Sequence, residues 1–261
     1  MKSTIAKDDL VSNGLCYLGN ILTSAECVTY IDRLESILLG RLNKKTFVGY
    51  SDNILLYNYF RDDGELLELL TLPSVMNVLT EVIDEDFTLL HGAAINRTTK
   101  FKNKVGGDTD KGSGANWHVD SRYVGGRRLD YGFNFNVVIA LEDSTLKNGT
   151  RYVPNSHLNR ERPKRNGDYK YETVVLNGGD VCIIDSGLWH KGGDSSESSR
   201  WAIFNLYAPW FVKPYFLFHE MIEDTALIKK ISESEMLKQV LHYKSWPPKD
   251  ERTRISTLQK S

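Results

Sequence analysis

The stretch "NWHVDS", residues 116–121, sets an imidazole (His118) and a carboxylate (Asp120) on alternate positions. In extended backbone, side chains at i and i+2 lie on the same side, so the two groups can converge on one point. Both are ligands for a divalent metal, but two ligands do not complete a site. A third candidate ends the apolar stretch "VCIIDSGLWH": His190, just before the glycine-bearing turn "KGGDSSESS". Two histidines and one carboxylate form a facial triad, which leaves three positions open on an octahedral Fe(II) ion. Ten residues on, Arg200 heads another apolar stretch, "RWAIFNLYAPWF". Burying an unpaired guanidinium is costly, and a bidentate carboxylate would satisfy it. If that carboxylate belongs to a ligand, the strand is a cosubstrate clamp.

The elements that must hold these groups are mainly short strands. "FTLLHGAAINRTT" is extended, and "YGFNFNVVIALED" alternates, with Phe133, Phe135, Val137 and Ile139 on one face and Asn134 and Asn136 on the other. "YETVVLNGGDVCIIDSGLWH" reads as strand, Asn-Gly-Gly turn, strand, and "RWAIFNLYAPWF" as a strand ended by Pro209. Short strands punctuated by turn residues indicate an all-β barrel or jelly roll. The first third reads mainly helical. "GLCYLGNIL" is a candidate strand that feeds a helix capped at Thr23 or Ser24 and stopped at Gly40. Two shorter helices follow, the second opening near Pro73. A weak helical pattern returns at about 218–245. The expectation is one domain over 1–261: a helical part to about 86, a jelly-roll core at about 87–212, and a helical extension from about 213.

The totals bound the partners. With 33 Lys and Arg against 34 Asp and Glu, the formal charge is −1, which argues against an electrostatic grip on nucleic acid or an anionic membrane. The apolar runs are too short to span a bilayer. The polar start "MKSTIAKDDLVSNG" lacks a signal-peptide core. Three isolated cysteines, Cys16, Cys27 and Cys182, fit a reducing compartment. The expected setting is cytoplasmic, with a small-molecule substrate and an undetermined oligomeric state.

The order HxD, distal His, then Arg about ten residues later resembles the Fe(II)/2-oxoglutarate-dependent dioxygenases, and within them the phytanoyl-CoA dioxygenase family. "NGTRYVPNSH" at 148–157 is similar to that family's Gly-x-x-x-x-x-Pro-Gly-Ser-His segment, with Asn155 in place of Gly. "NGGDVCIIDSGLWHKGG" is similar to the strand that delivers the distal histidine, and "LVSNGLCYLGNILTSAECVTYIDRL" to the opening strand and helix. The likeness runs from about 8 to 210. It implies a double-stranded β-helix (jelly-roll, cupin-like) with Fe(II) on His118, Asp120 and His190. The cosubstrates implied are O2 and 2-oxoglutarate, converted to CO2 and succinate while a small molecule is oxidised, most simply by hydroxylation. Arg200 would grip the distal carboxylate, with Asn96 as a further cosubstrate contact. Many members carry Ser or Thr two residues after the distal histidine; here it is Gly192, so a second contact must come from elsewhere. A small residue replaces the carboxylate ligand in related halogenases, so Asp120 favours hydroxylation, desaturation or ring chemistry.

Other residues have plainer readings. Asn134 and Asn136 can line the barrel interior, with Asn134 a cosubstrate contact. Tyr123, just past the motif, is a candidate substrate contact. Trp117 and Trp189 flank ligands and so belong to the packing, His157 steadies a loop, and His91 and His219 do structural or surface work. "WFVKPYFLF" is a seam that packs the C-terminal segment or walls the pocket. "DTDKGSGANWHV" lacks the sixth-position Gly and twelfth-position Glu of a calcium loop, and reads instead as a lid or as plain disorder. Two competing functions stand beside the oxygenase. A non-catalytic cupin-like binding module has no need of Arg200, and a zinc hydrolase would leave Arg200 without its partner and shows no HExxH base.

Overall fold

The computed structural model describes residues 2–50, 53–84, 86–98, 116–120, 123–124, 127–128, 134–159, 161–194 and 200–243. The glycine-rich stretch read as a lid, and Phe133, lie outside the described residues.

Alternation sorts the central strands into two faces. Along β1 (Leu15–Asn20), β2 (Gly49–Tyr50), β3 (Asn53–Tyr57), β4 (Phe87–Asn96), β7 (Phe135–Ala140), β10 (Asp180–Asp185) and β12 (Trp201–Pro209) runs one antiparallel sheet, ordered β1-β10-β7-β12-β4-β3-β2. Val137, Ile139, Val181, Ile183, Trp201 and Ile203 point to one side, and Val138, Ala140, Cys182, Ile184 and Phe204 to the other. Both faces are apolar because both are covered. A smaller antiparallel sheet, ordered β11 (His190–Lys191), β8 (Thr150–Tyr152), β9 (Glu172–Val174), closes over the second face. There Val174, Leu176 and Leu188 pack against Val138, Ala140 and Ile184. A two-stranded ribbon, β5 (Tyr123–Val124) and β6 (Arg127–Arg128), stands apart.

Helices cover the first face. α1 (Lys2–Asn13), α2 (Ser24–Asn43), α3 (Pro73–Ile83), a 3-10 segment at Gly64–Leu70, and α4 (Phe218–Met221), α5 (Thr225–Ser232) and α6 (Glu235–Val240) bury one large cluster with the sheet. α2 opens in a capping box. Glu26 accepts from the Thr23 backbone N–H at 2.7 Å, and Thr23 Oγ1 accepts from the Glu26 N–H at 3.3 Å. Thr23→Ala is expected to cost about 1 kcal/mol in urea unfolding, and Thr23→Ser much less.

One sequence expectation needs correction here. Gly40 does not stop α2, which runs on to Asn43. Its last turn is pinned by buried Arg41, which donates to the Tyr57 carbonyl at 2.8 Å and pairs with Asp62. The first third is mainly helical as expected, with β1, β2 and β3 set between its helices. β3, "NILLY", is buried at four consecutive positions, and a strand covered on both faces shows no alternation to read. The polar N-terminus forms α1, which buries Ala6 and Leu10 and ends at Gly14 with φ +73°. The Gly14 N–H donates to the Leu10 carbonyl, and His157 Nε2 meets the Val11 carbonyl at 3.0 Å, so His157 does steady a junction. The C-terminal helices and the strands β4, β7, β9, β10 and β12 fall where the pattern places them. The three cysteines are free and buried. Among the described residues no single helix is long and apolar enough to cross a membrane.

Candidate metal and cosubstrate site

Between the sheets lies a cavity lined by the inward residues of β3, β4, β7, β10 and β12 and by the start of β11. His190 is not at the end of β10. That strand stops at Asp185, a turn follows, and His190 begins the separate β11. His118 then pairs with it as an isolated antiparallel bridge: the His118 N–H donates to the His190 carbonyl at 2.9 Å, and the His190 N–H to the His118 carbonyl at 3.0 Å. This bridge sets the rings side by side, centroids 4.2 Å apart. The Asp120 N–H donates to the Ser186 carbonyl at 2.9 Å, which fixes the third group against the same turn.

One donor atom from each of His118, Asp120 and His190 lies within 4.8 Å of the others. His190 Nε2 is 3.5 Å from Asp120 Oδ2, and His118 Nε2 is 3.8 Å from Asp120 Oδ1. Ligands about 2.0–2.2 Å from one ion stand roughly 3 Å apart when adjacent, so a metal would need only a small contraction. Tautomers are set by the other ring nitrogens. His118 Nδ1 meets the Asn116 carbonyl and His190 Nδ1 the Leu188 carbonyl, each at 2.8 Å. A carbonyl only accepts, so both Nδ1 atoms carry the proton and both Nε2 lone pairs face the site. Asn136 donates to Asp120 Oδ2, and Asn134 to the Asp120 carbonyl, each at 3.2 Å.

Burial works against the Asp120 charge, but the two histidines together outweigh it and hold the carboxyl well below its usual range. Burial likewise works against protonation of His190, but the Asp120 carboxylate beside it wins and raises its pKa. For His118 burial dominates, and with the His190 charge it lowers the pKa. A metal must displace the proton that Asp120 stabilises on His190. Metal affinity is therefore expected to fall as pH drops through the raised His190 value, in anaerobic Fe(II) titrations at a series of pH values.

Arg200 and Arg97 both line the cavity and are 5% and 6% exposed. Arg200 stands just before β12, and its backbone N–H donates to Asn96 Oδ1 at 2.9 Å. Burial and then the Arg97 charge push its guanidinium down to about 10, with Glu142 acting in the opposite sense. Arg200 Nε has no hydrogen-bond partner among the described residues. Asn96 therefore braces the Arg200 backbone, and Asn134 the Asp120 backbone; it is Asn136 that faces the cavity. The side chain of Tyr123 lies outside the described residues.

Two cavity residues escaped sequence reasoning. His91, read as structural or surface, projects inward from β4 beside the triad. It stacks on Tyr215, centroids 5.4 Å apart at 21°, and stands edge-on to Tyr57 at 5.7 Å. Burial lowers its pKa against the pull of Asp120, which favours the neutral ring. The inward positions of β4 (His91, Ala93, Ile95) gave the only signal, hidden because the opposite face is equally apolar. Arg97 is the other. Trp117 and Trp189 are packing residues as expected, both edge-on to Tyr169, and His219 is a surface residue beside Glu220. The "WFVKPYFLF" seam contributes Phe218 to the core, while Phe216 and Tyr215 meet the cavity residues Tyr57 and His91.

Residues 10–202 match the phytanoyl-CoA dioxygenase (PhyH) family. The chain belongs to that family. It is accordingly an iron- and 2-oxoglutarate-dependent oxygenase by class, with the double-stranded β-helix fold, and the His118–Asp120–His190 cluster has the donor set that iron requires. Solved structures agree on the fold. The chain resembles the epimerase SnoN in complex with Fe3+, alpha ketoglutarate and nogalamycin RO (14% identity, 80% of this chain and 84% of that one, TM-score 0.60). It is also similar to the alpha ketoglutarate-dependent carbocyclase SnoK from nogalamycin biosynthesis (16%, 86% and 89%, 0.61). A third similar structure is HygX from Streptomyces hygroscopicus with iron bound (13%, 80% and 87%, 0.58). Comparison with curated protein sequences gives no match.

Proposed function

We propose that this family member, acting as a single domain, hydroxylates a small molecule at an Fe(II) centre held by His118, Asp120 and His190. Arg200 binds the distal carboxylate of 2-oxoglutarate. The observation that carries the reading is the convergence of three donor atoms within 4.8 Å, both imidazoles locked in the ligating tautomer, in a cavity that also holds a buried arginine. Neither competing reading accounts for Arg200. A binding module gains nothing from a buried cation beside a facial triad, and a zinc hydrolase has no carboxylate to offer it.

When bound, iron with 2-oxoglutarate supplies the oxidising chemistry, and the protein supplies geometry, orientation and shelter. The bridge between His118 and His190 fixes two ligands through the main chain, and Asn136 orients the carboxylate of the third. Leu55, Ala93, Ile95 and Phe204 keep water from the remaining wall, and Tyr57 and His91 give it an aromatic face for substrate. SnoN binds the small molecule nogalamycin RO in the same fold, which is consistent with a cavity of this kind serving a free small molecule. Three buried free cysteines suit a reducing, cytoplasmic setting.

The test is anaerobic addition of 2-oxoglutarate to Fe(II)-loaded protein, followed by air. A weak visible charge-transfer band and then iron-dependent succinate formation are expected. With iron bound, no band at saturating 2-oxoglutarate would sink the reading and favour the binding module.

A further inference from the structure

Leu90 is a bulge on β4: the ladder to β12 pairs His91 with Leu206 and then Leu89 with Tyr207, so Leu90 has no residue opposite it. Its carbonyl accepts instead from the Tyr215 N–H at 3.1 Å, which pins the chain beyond β12 beside β4. The Tyr215 ring then lies on the His91 ring, centroids 5.4 Å apart at 21°. His91 in turn stands at 80° to Tyr57, centroids 5.7 Å apart, and both line the cavity. Tyr57 is backed in the same way. Phe47 stacks on it at 6.4 Å and 21°, and Phe216 packs against it at 6.0 Å and 46°. Two rings at right angles therefore make a corner of the cavity, and each has a further ring behind it.

Core packing does not account for this cluster. Phe47 and Tyr215 are 38% and 39% exposed, while His91 and Tyr57 border open space. The wall beyond the corner is Leu55, Ala93, Ile95 and Phe204, none of which carries charge. His91 is registered with Leu206, six residues past Arg200, so their positions along the strand are about 20 Å apart. The corner thus lies away from the group given to the cosubstrate. Tyr215 and Phe216 also lie past residue 202, where the family match ends.

We propose that the Tyr57–His91 corner receives a flat, uncharged ring of the substrate, and that Tyr215 and Phe47 hold the two rings of the corner in place. A flat ring seated in a right-angled corner stacks on one wall and meets the other edge-on, and aromatic pairs favour both arrangements. A saturated ring of the same size is puckered and has no quadrupole, so it gains only from buried area. The inference rests on the oxygenase reading above and gives it a substrate class: compounds with an aromatic or otherwise flat, unsaturated ring.

Anaerobic equilibrium dialysis of the protein loaded with Fe(II) and 2-oxoglutarate tests this with two alcohols, 2-naphthalenemethanol and decahydro-2-naphthalenemethanol. They share a carbon skeleton; the first is flat, the second puckered and more apolar. Wild type is expected to bind the flat alcohol roughly 3- to 10-fold more tightly, the contribution of one aromatic pair. His91→Leu and Tyr57→Leu should each abolish that preference, and His91→Phe should keep it. Tyr215 is a positioning residue, so Tyr215→Leu should reduce the preference and Tyr215→Phe should retain it, with thermal melts as the fold control. Equal binding of the two alcohols by wild type, or no binding of the flat one, overturns the proposal. So does a preference that survives both His91→Leu and Tyr57→Leu, which would put the ring elsewhere. Equal weakening of both alcohols by Tyr215→Leu would make Tyr215 structural only. The charge-transfer band with 2-oxoglutarate, read on the same samples, reports on the oxygenase separately: a band without a ring preference sinks the corner alone, and a missing band sinks the reading beneath it.

Discussion

Replacing His190 with alanine is expected to abolish stoichiometric Fe(II) binding, weakening it by more than the roughly 10- to 100-fold typical of a lost outer-shell partner. The fold should survive. Both hydrogen bonds of the bridge between His118 and His190 are main chain to main chain, so the substitution leaves them in place. The side chain's own polar contacts are the Leu188 carbonyl through Nδ1 and the Asp120 carboxylate through Nε2. Losing it deprives Asp120 of the largest of its imidazole partners, and the carboxyl is expected to move back up towards its ordinary range. Asn136→Ala is the graded companion. It removes the donor to Asp120 Oδ2 and no ligand, so iron should still bind, about 10- to 100-fold more weakly. Anaerobic Fe(II) titration with a far-ultraviolet dichroism control measures both. If His190→Ala kept full affinity, the ion would have to sit elsewhere.

The triad and Arg200 were legible in the sequence because their chemistry is unusual in its setting. A carboxylate two residues from a histidine, and single polar residues bounding apolar stretches, stand out from a core pattern. The strands of the core region were legible for a related reason: alternation and the Asn-Gly-Gly turn mark β7 and β10 directly. Residues on doubly covered strands were not. β3 shows an unbroken apolar run, and on β4 a bulge that pairs His91 with Leu206 but Leu89 with Tyr207 shifts which residues face inward. Nothing in "FTLLHGAAINRTT" reveals that shift, so His91 read as structural although it faces the cavity. Arg97 was hidden differently, since only the register of Asn96 with Trp201 brings it opposite Arg200.

Arg200→Met is expected to weaken 2-oxoglutarate by roughly 30- to 1,000-fold or more, the range for truncating one partner of a buried charge pair (about 2–5 kcal/mol). The same substitution should make the ligand-free protein slightly more stable. Without a bound anion, Arg200 is a desolvated cation, with no partner to Nε among the described residues and the pKa depressed by burial and by Arg97. Glu142 offsets part of this, but less than burial and Arg97 take away. Methionine fills much of the same volume with no charge, and replacing buried charge with packed apolar groups is often neutral or stabilising. A gain of about 1 kcal/mol would raise the midpoint by roughly 2–4 °C in a protein of this size. Saturating cosubstrate reverses the order. At 100 times its Kd, a ligand stabilises the protein that binds it by about 2.7 kcal/mol, and only the wild type should show that gain. Thermal melts of both proteins with Fe(II), with and without 2-oxoglutarate, therefore should cross. A mutant that melts lower in both conditions, yet still shifts with 2-oxoglutarate, would make Arg200 a structural residue and move the carboxylate elsewhere.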